Sequence, residues 1–165
     1  MGAKTVVSGV VLIAAAIIVY FLFSSSEEDR IKEQFNRIAE AVSKDHGENQ
    51  ISAMAKIRQL KDGLAPKCEV DAPIYGLDQE MTCNDIEDFV FQERNRYGQI
   101  VLKFHRFSIR FSMENHAAVD VTAGFSGEST TGQRSEDYHV LTCHLAKTDD
   151  MWQLKQINVI EALEP

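Results

Sequence analysis

From Gln99 onward the apolar residues of this chain fall mainly on every second position. A period of two leaves a segment little choice but an extended strand with one buried face. Phe107, Ile109, Phe111 and Met113 alternate with Arg106, Ser108, Arg110 and Ser112, while Ile100, Leu102 and Phe104 upstream hold the opposite parity. The alternation slips at His105, which predicts a bulge or a strong bend in one long strand. Glu114-Asn115-His116 predicts a turn, and Ala117, Val119, Val121, Ala123 and Phe125 mark the next apolar face. A three-residue hairpin there sets Phe111 opposite Val119 and Arg110 opposite Asp120, a cross-strand ion pair. Ser126 to Ser135 predicts a loop, Tyr138 to Ala146 a third strand and Trp152 to Ile160 a last one.

Before Gln99 the period is helical. Ile31, Phe35, Ile38 and Val42 predict a helix over residues 27–44, opened by Ser26 and Asp29 and closed near Gly47. Ile51, Met54, Ile57 and Leu60 predict a second over 48–64, stopped by Pro66. Residues 65–82 read as irregular, with Val70 and Ile74-Tyr75 as short strand fragments. Thr82 and Asp85 then cap a third helix carrying Ile86, Phe89, Val90 and Tyr97, which ends at Gly98.

Thr5 to Phe23 holds no charged residue. A helix of that length reaches roughly 28 Å, near the thickness of a bilayer core. A cleaved signal peptide has a shorter core and an A-x-A-like site, and a core helix shows a polar face; this stretch shows neither. The expectation is a short tail (1–4), a transmembrane anchor contacting the bilayer (5–23), a linker (24–29) and one domain (30–165). That places the chain as a single-pass protein of a bacterial inner membrane, its C-terminal domain extracytoplasmic.

The 25 acidic and 17 basic residues leave a net charge of −8, which argues against nucleic acid as a partner. Cys68 and Cys83 are candidates for a disulfide closing a short loop, with unpaired thiols as the other reading, and Cys143 reads as a core thiol. The spacing of cysteines and histidines shows no metal site, and no cofactor motif is present.

Helix, helix, irregular β segment, helix and four consecutive strands, with the long bent strand Gln99–Met113, the strand around Val119-Asp120-Val121 and the closing Asp149-Asp150-Met151-Trp152-Gln153-Leu154, resemble the nuclear-transport-factor-2-like (cystatin-like, SnoaL-like) superfamily. The resemblance spans residues 28–163. It implies an α+β fold in which three helices pack on a strongly curved mixed or antiparallel sheet, making a cone with an apolar cavity. The layout is also similar to the inner-membrane assembly factor of type IV secretion systems, though no residue carries over.

Phe107, Phe111, Phe125, Tyr75 and His105 are the candidates to line a ligand cavity. Arg106, Arg110, Asp120 and Tyr138 are candidates for an interface with a second copy or an envelope protein. The expected inner faces hold no acid, base or nucleophile, so no catalytic residue is assigned. The expected function is a membrane-tethered binding or assembly module engaging a partner protein or small apolar ligand. The alternative is a ketosteroid-isomerase-like lyase or isomerase using a polar residue in the cone, for which Asp71, Tyr75, His105 and His139 are the remaining candidates. His139 and His144 point to opposite faces of one strand, which argues against a shared metal.

Overall fold

A computed structural model describes residues 26–163. The chain divides into two compact units, Met1–Ile31 and Lys32–Pro165. The described part of the first is the start of helix α1 (Glu27–Val42). There the Ser26 hydroxyl accepts the Asp29 N–H at 3.1 Å and donates to the Asp29 carboxylate at 2.8 Å. That contact satisfies an amide with no partner inside the helix.

The second unit carries the remainder of α1, then α2 (Gln50–Arg58), a helical turn (Leu60–Gly63), β1 (Leu64–Ala72), β2 (Leu77–Thr82), α3 (Cys83–Arg96), β3 (Tyr97–Met113), β4 (His116–Ser129), β5 (Arg134–Thr148) and β6 (Met151–Leu163). The six strands form one mixed sheet in the order β2-β1-β6-β5-β4-β3. Only β1 and β6 run parallel, because the chain returns to β1's edge after three hairpins. Two of those hairpins are tight. Asn115 (φ 65°) turns β3 into β4, and Asp149 (φ 50°) with Asp150 (φ 64°) turns β5 into β6. Asn and Asp tolerate the left-handed backbone that a two-residue hairpin needs.

Asn115 also sets the register. Met113 pairs with His116, and a further shift between Phe111 and Met113 sets Phe111 opposite Ala117 and Arg110 opposite Ala118, not the partners that a three-residue loop predicts. Further up β3 the ladder shifts between His105 and Ser108, where the alternation slips in sequence, and Arg106 takes φ 56°. The bulge turns Phe104 and Phe107 to the same side, where their rings meet Phe35 of α1 edge-on at 5.0 and 5.4 Å.

A buried ion pair ties the helices to one another. Arg94, near the end of α3, donates to the carbonyls of Ala41 (2.7 Å) and Ser43 and pairs with Glu48 in the α1–α2 connection. Lys44 donates to the carbonyls of Arg94 (2.9 Å) and Tyr97 (2.7 Å). The Lys44 and Ile100 backbones bridge each other through two 2.9 Å bonds, which explains why α1 stops at Val42 and not at Lys44.

Three expectations are corrected. Residues 65–82 are not irregular: they are β1, a 3₁₀ turn (Pro73–Tyr75) and β2, with six paired positions from Lys67↔Thr82 to Ala72↔Leu77. An edge ladder with a mostly exposed face shows no clean alternation, and Pro66 sits near the start of its strand, where proline is tolerated. The second helix is shorter than predicted, and its expected stripe is buried only in its second half: Ile57 and Leu60 are in the core, whereas Ile51 is 83% exposed and Met54 is exposed.

The third correction concerns the fold class, which put a transmembrane helix first. Among the described residues no helix is long and apolar enough to cross a membrane, and the stretch 5–23 lies outside them. The described architecture is an α+β sheet with three helices and six strands. The single-pass, signal-anchor placement in a bacterial inner membrane rested on that helix and is corrected with it.

Candidate functional site

The helices cover one side of the sheet and leave an apolar cavity of about 260 Å³ beneath them. Phe35, Ile38 and Val42 of α1 form one wall and Ile86, Phe89 and Val90 of α3 another. Val70, Leu77, Phe104, Leu141, Cys143, Leu154 and Ile157 contribute from the sheet. Gln79 and the Cys143 thiol are the only polar side chains among its lining residues. Burial, with Cys68 and Asp120 nearby, pushes the Cys143 thiol up to about 12, so it stays neutral and behaves as an apolar group.

Leu141 and Cys143 face this cavity, and by strand alternation His139 shares their side of β5, about 7 Å beyond Leu141. Tyr75 precedes Leu77, another lining residue, by two positions. The left-handed Gly76 (φ 67°) that closes the 3₁₀ turn leads the chain from Tyr75 into β2. The two side chains meet outside the residues that line the cavity, with Tyr75 60% exposed: Tyr75 Oη lies 2.9 Å from His139 Nε2, and their rings pack edge-on at 5.7 Å.

The protonation pattern follows from the surroundings. Burial, then the charge of Asp137, raises the Tyr75 phenol above its ordinary value, so it holds its proton and donates to Nε2. That assigns the other ring proton to Nδ1, which is buried and has no hydrogen-bond partner. An unpaired buried N–H costs about 1–3 kcal/mol.

The other candidate cavity residues lie elsewhere. Phe107 packs on Phe35, Phe111 on Trp152 (6.0 Å) and Phe125 on Tyr97 (5.5 Å), and none of the three lines the cavity. Phe104 takes their expected place. His105 lines a separate polar hollow of about 730 Å³ beside the free edge of β3, where Lys56 is already paired with Asp45 (3.4 Å) and Glu48 (2.6 Å). Asp71 lies opposite Asp78 in the β1–β2 ladder.

The interface candidates sit away from the cavity. Arg110 reaches Asp120 diagonally at 2.8 Å, Asp120 accepts from Thr142 at 2.8 Å, and Tyr138 donates to Glu136 at 2.7 Å. Arg106 is exposed at the bulge. Cys68 and Cys83 are free thiols: Cys68 stands opposite Met81, while Cys83 opens α3 and donates to the Ala65 carbonyl at 3.0 Å. Among the described residues no cluster of three metal-ligating side chains occurs.

No protein-family model and no curated protein sequence matches the chain. Solved structures do. The Kfla4162 protein from Kribbella flavida superposes with a TM-score of 0.68 at 11% identity, covering 85% of this chain and 96% of its own. A protein assigned as a scytalone dehydratase from Novosphingobium aromaticivorans gives 0.62 at 12%, with 84% and 87% covered. The hexachlorocyclohexane dehydrochlorinase LinA-type3 from Novosphingobium barchaimii gives 0.64 at 12%, with 82% and 89% covered. The fold is the nuclear-transport-factor-2-like fold, as the strand order resembles in sequence. At such identities the likeness establishes the fold alone, and chemistry is argued from the site.

Proposed function

We propose that this protein is a lyase or isomerase acting on a small apolar molecule, with Tyr75 and His139 as its acid–base pair. The observation that carries this reading is the 2.9 Å hydrogen bond between Tyr75 Oη and His139 Nε2, two residues along their strands from Leu77 and Leu141 of the apolar cavity wall. Both reaction classes remove a C–H proton and need somewhere to keep it. The Tyr75 oxygen takes the substrate proton while its own proton passes to Nε2, which leaves an imidazolium. Return of the proton to another carbon completes an isomerisation, and departure of the leaving group completes an elimination. A phenol that is hard to ionise makes this relay depend on His139. The names dehydratase and dehydrochlorinase on two of the similar structures support the reading over an envelope assembly module.

The test offers a panel of neutral ketones and alkyl halides to the purified full chain in D₂O. Mass spectrometry and halide release are followed for the wild type, His139→Gln and Tyr75→Phe. Deuterium uptake or halide loss accelerated by the wild type and reduced at least a hundredfold in both variants supports the proposal. Equal rates in wild type and His139→Gln count against it.

Binding without chemistry is the second reading, and it rests on the cavity wall, which contains no acid or base other than the inert thiol. The face bearing Arg106, Arg110, Asp120 and Tyr138 remains a proposed contact surface for a second copy, to be read by native mass spectrometry.

A further inference from the structure

We infer that two copies of this chain stack through the side of the sheet away from the helices, about a two-fold axis parallel to the strands. That axis lays the basic β3 edge of each copy over the acidic β1–β2 edge of the other. The inference rests on the reading of this face as a contact surface for a second copy; it adds which part of the face meets which.

Register fixes what lies where on that side. Val70, Leu77, Leu141 and Cys143 point into the cavity under the helices, so the residues next to them in their strands point the other way. Pairing joins those residues into two rungs that cross all six strands. One carries Arg110, Ala118, His144, Gln156, Glu69 and Glu80. The next carries Ser108, Asp120, Thr142, Asn158, Asp71 and Asp78.

Charge is separated along these rungs. β3 supplies Lys103, Arg106 and Arg110 and no carboxylate, whereas β1 and β2 supply Glu69, Asp71, Asp78 and Glu80 against Lys67 alone. Lys67 pairs with Glu80 at 2.5 Å, and Glu69, Asp71 and Asp78 have no ion-pair partner among the described residues.

A two-fold axis that stacks two faces lies between them, along the strands or across them. Across the strands it lays β3 on β3 and β2 on β2, so arginine meets arginine and carboxylate meets carboxylate. Along the strands, midway between β5 and β6, it lays β3 on β2 and brings Arg110 over Glu80. Thr142 and His144 then come over Asn158 and Gln156, hydroxyl and imidazole against amides. Asp120 comes over Asp71, and Arg110, 2.8 Å from Asp120, supplies the cation between them. Opposite potentials favour this arrangement, and like charges penalise the other.

Sedimentation equilibrium of the full chain with two charge-reversed variants tests the inference. Lys103→Glu/Arg106→Glu makes both edges acidic, and Asp78→Lys/Glu80→Lys makes both basic; all four positions are exposed. Each variant alone is expected to dimerise about tenfold more weakly than the wild type, or worse. An equimolar mixture is expected to recover the wild-type affinity within about threefold, because each edge again meets its opposite. Arg110→Lys gives a second measurement, since it keeps the charge and offers an amine to a carbodiimide. A direct amide from that new lysine to Glu69 or Glu80 is expected. Within one copy these groups stand four or five strand spacings apart, roughly 19–24 Å, so the amide reports two copies. A dimer that forms equally well in both variants and yields no such amide overturns the inference and leaves the contact surface standing. A wild-type chain that stays monomeric overturns both.

Discussion

Tyr75 and His139 stand 64 positions apart in the chain, and the sheet brings the phenol oxygen of one to 2.9 Å from Nε2 of the other. Neither would reach the other without two features. One is the turn at Pro73–Tyr75, which ends on the left-handed Gly76. The other is the alternation that turns His139 to the side of Leu141 and Cys143. Asp137 contributes to this pair through its charge, after burial, by raising the phenol's affinity for its proton. Asp137→Asn is therefore expected to shift the Tyr75 ionisation back toward its ordinary value. Phenolate absorbance between pH 8 and 12, with Tyr75→Phe as the blank, reads the change. An unchanged titration would show that burial alone sets it.

Glu48→Ala is expected to cost about 3–5 kcal/mol of stability, because it leaves the Arg94 guanidinium buried without its counter-charge. Arg94 is 3% exposed and Glu48 5%, so water does not take the missing partner's place. Urea denaturation measures the loss. The double variant Glu48→Ala/Arg94→Met should recover part of it, and a double variant no more stable than the single one would contradict the account.

Adjacent positions on β4 separate the two faces of the sheet. Val121 is 2% exposed in the core, and Val121→Asp is expected to abolish cooperative folding. Asp120 is bonded to Arg110 and Thr142 on the other face, and Asp120→Ala should cost about 1–2 kcal/mol. Circular dichroism melts of the two variants check this. Unfolding by Asp120→Ala would show that the polar face carries more of the stability than its contacts suggest.

Two buried thiols make the fold sensitive to alkali. Burial, then the neighbouring Cys83 and Glu69, pushes Cys68 up to about 11, and Cys143 lies at about 12, both from an ordinary 9.0. Each thiol keeps its proton in the fold at pH values where the unfolded chain has lost it. Their contribution is whole below pH 9 and disappears as the pH rises toward 11 and 12, a loss on the order of a few kcal/mol. Urea midpoints at pH 8, 9, 10 and 10.5 should fall more steeply for the wild type than for Cys68→Ala/Cys143→Ala. Equal slopes would assign the alkaline loss to other groups.

The amino-acid pattern alone determined the elements whose cause is local. The Thr82–Asp85 capping box, the bulge at His105, the long strand β3 and the paired strands after it are legible because spacing, caps and period act within a few residues. From their order came the resemblance to the nuclear-transport-factor-2-like fold. An uncharged run such as Thr5–Phe23 is also a local signal, but the bilayer reading built on it met no membrane-crossing helix among the described residues.

What spacing left open was decided by packing. The tight turn at Asn115 and the register shift between Phe111 and Met113 together moved the β3–β4 partners and made Arg110 reach Asp120 on a diagonal. The bulge turned both Phe104 and Phe107 toward Phe35, and of the two Phe104 lines the cavity. The Arg94–Glu48 pair and the Tyr75–His139 contact join residues 46 and 64 positions apart. A period in the sequence reports which face of an element is apolar. Which of two polar residues on separate elements meet depends on register, bulges and turn length, and the folded sheet sets all three at once.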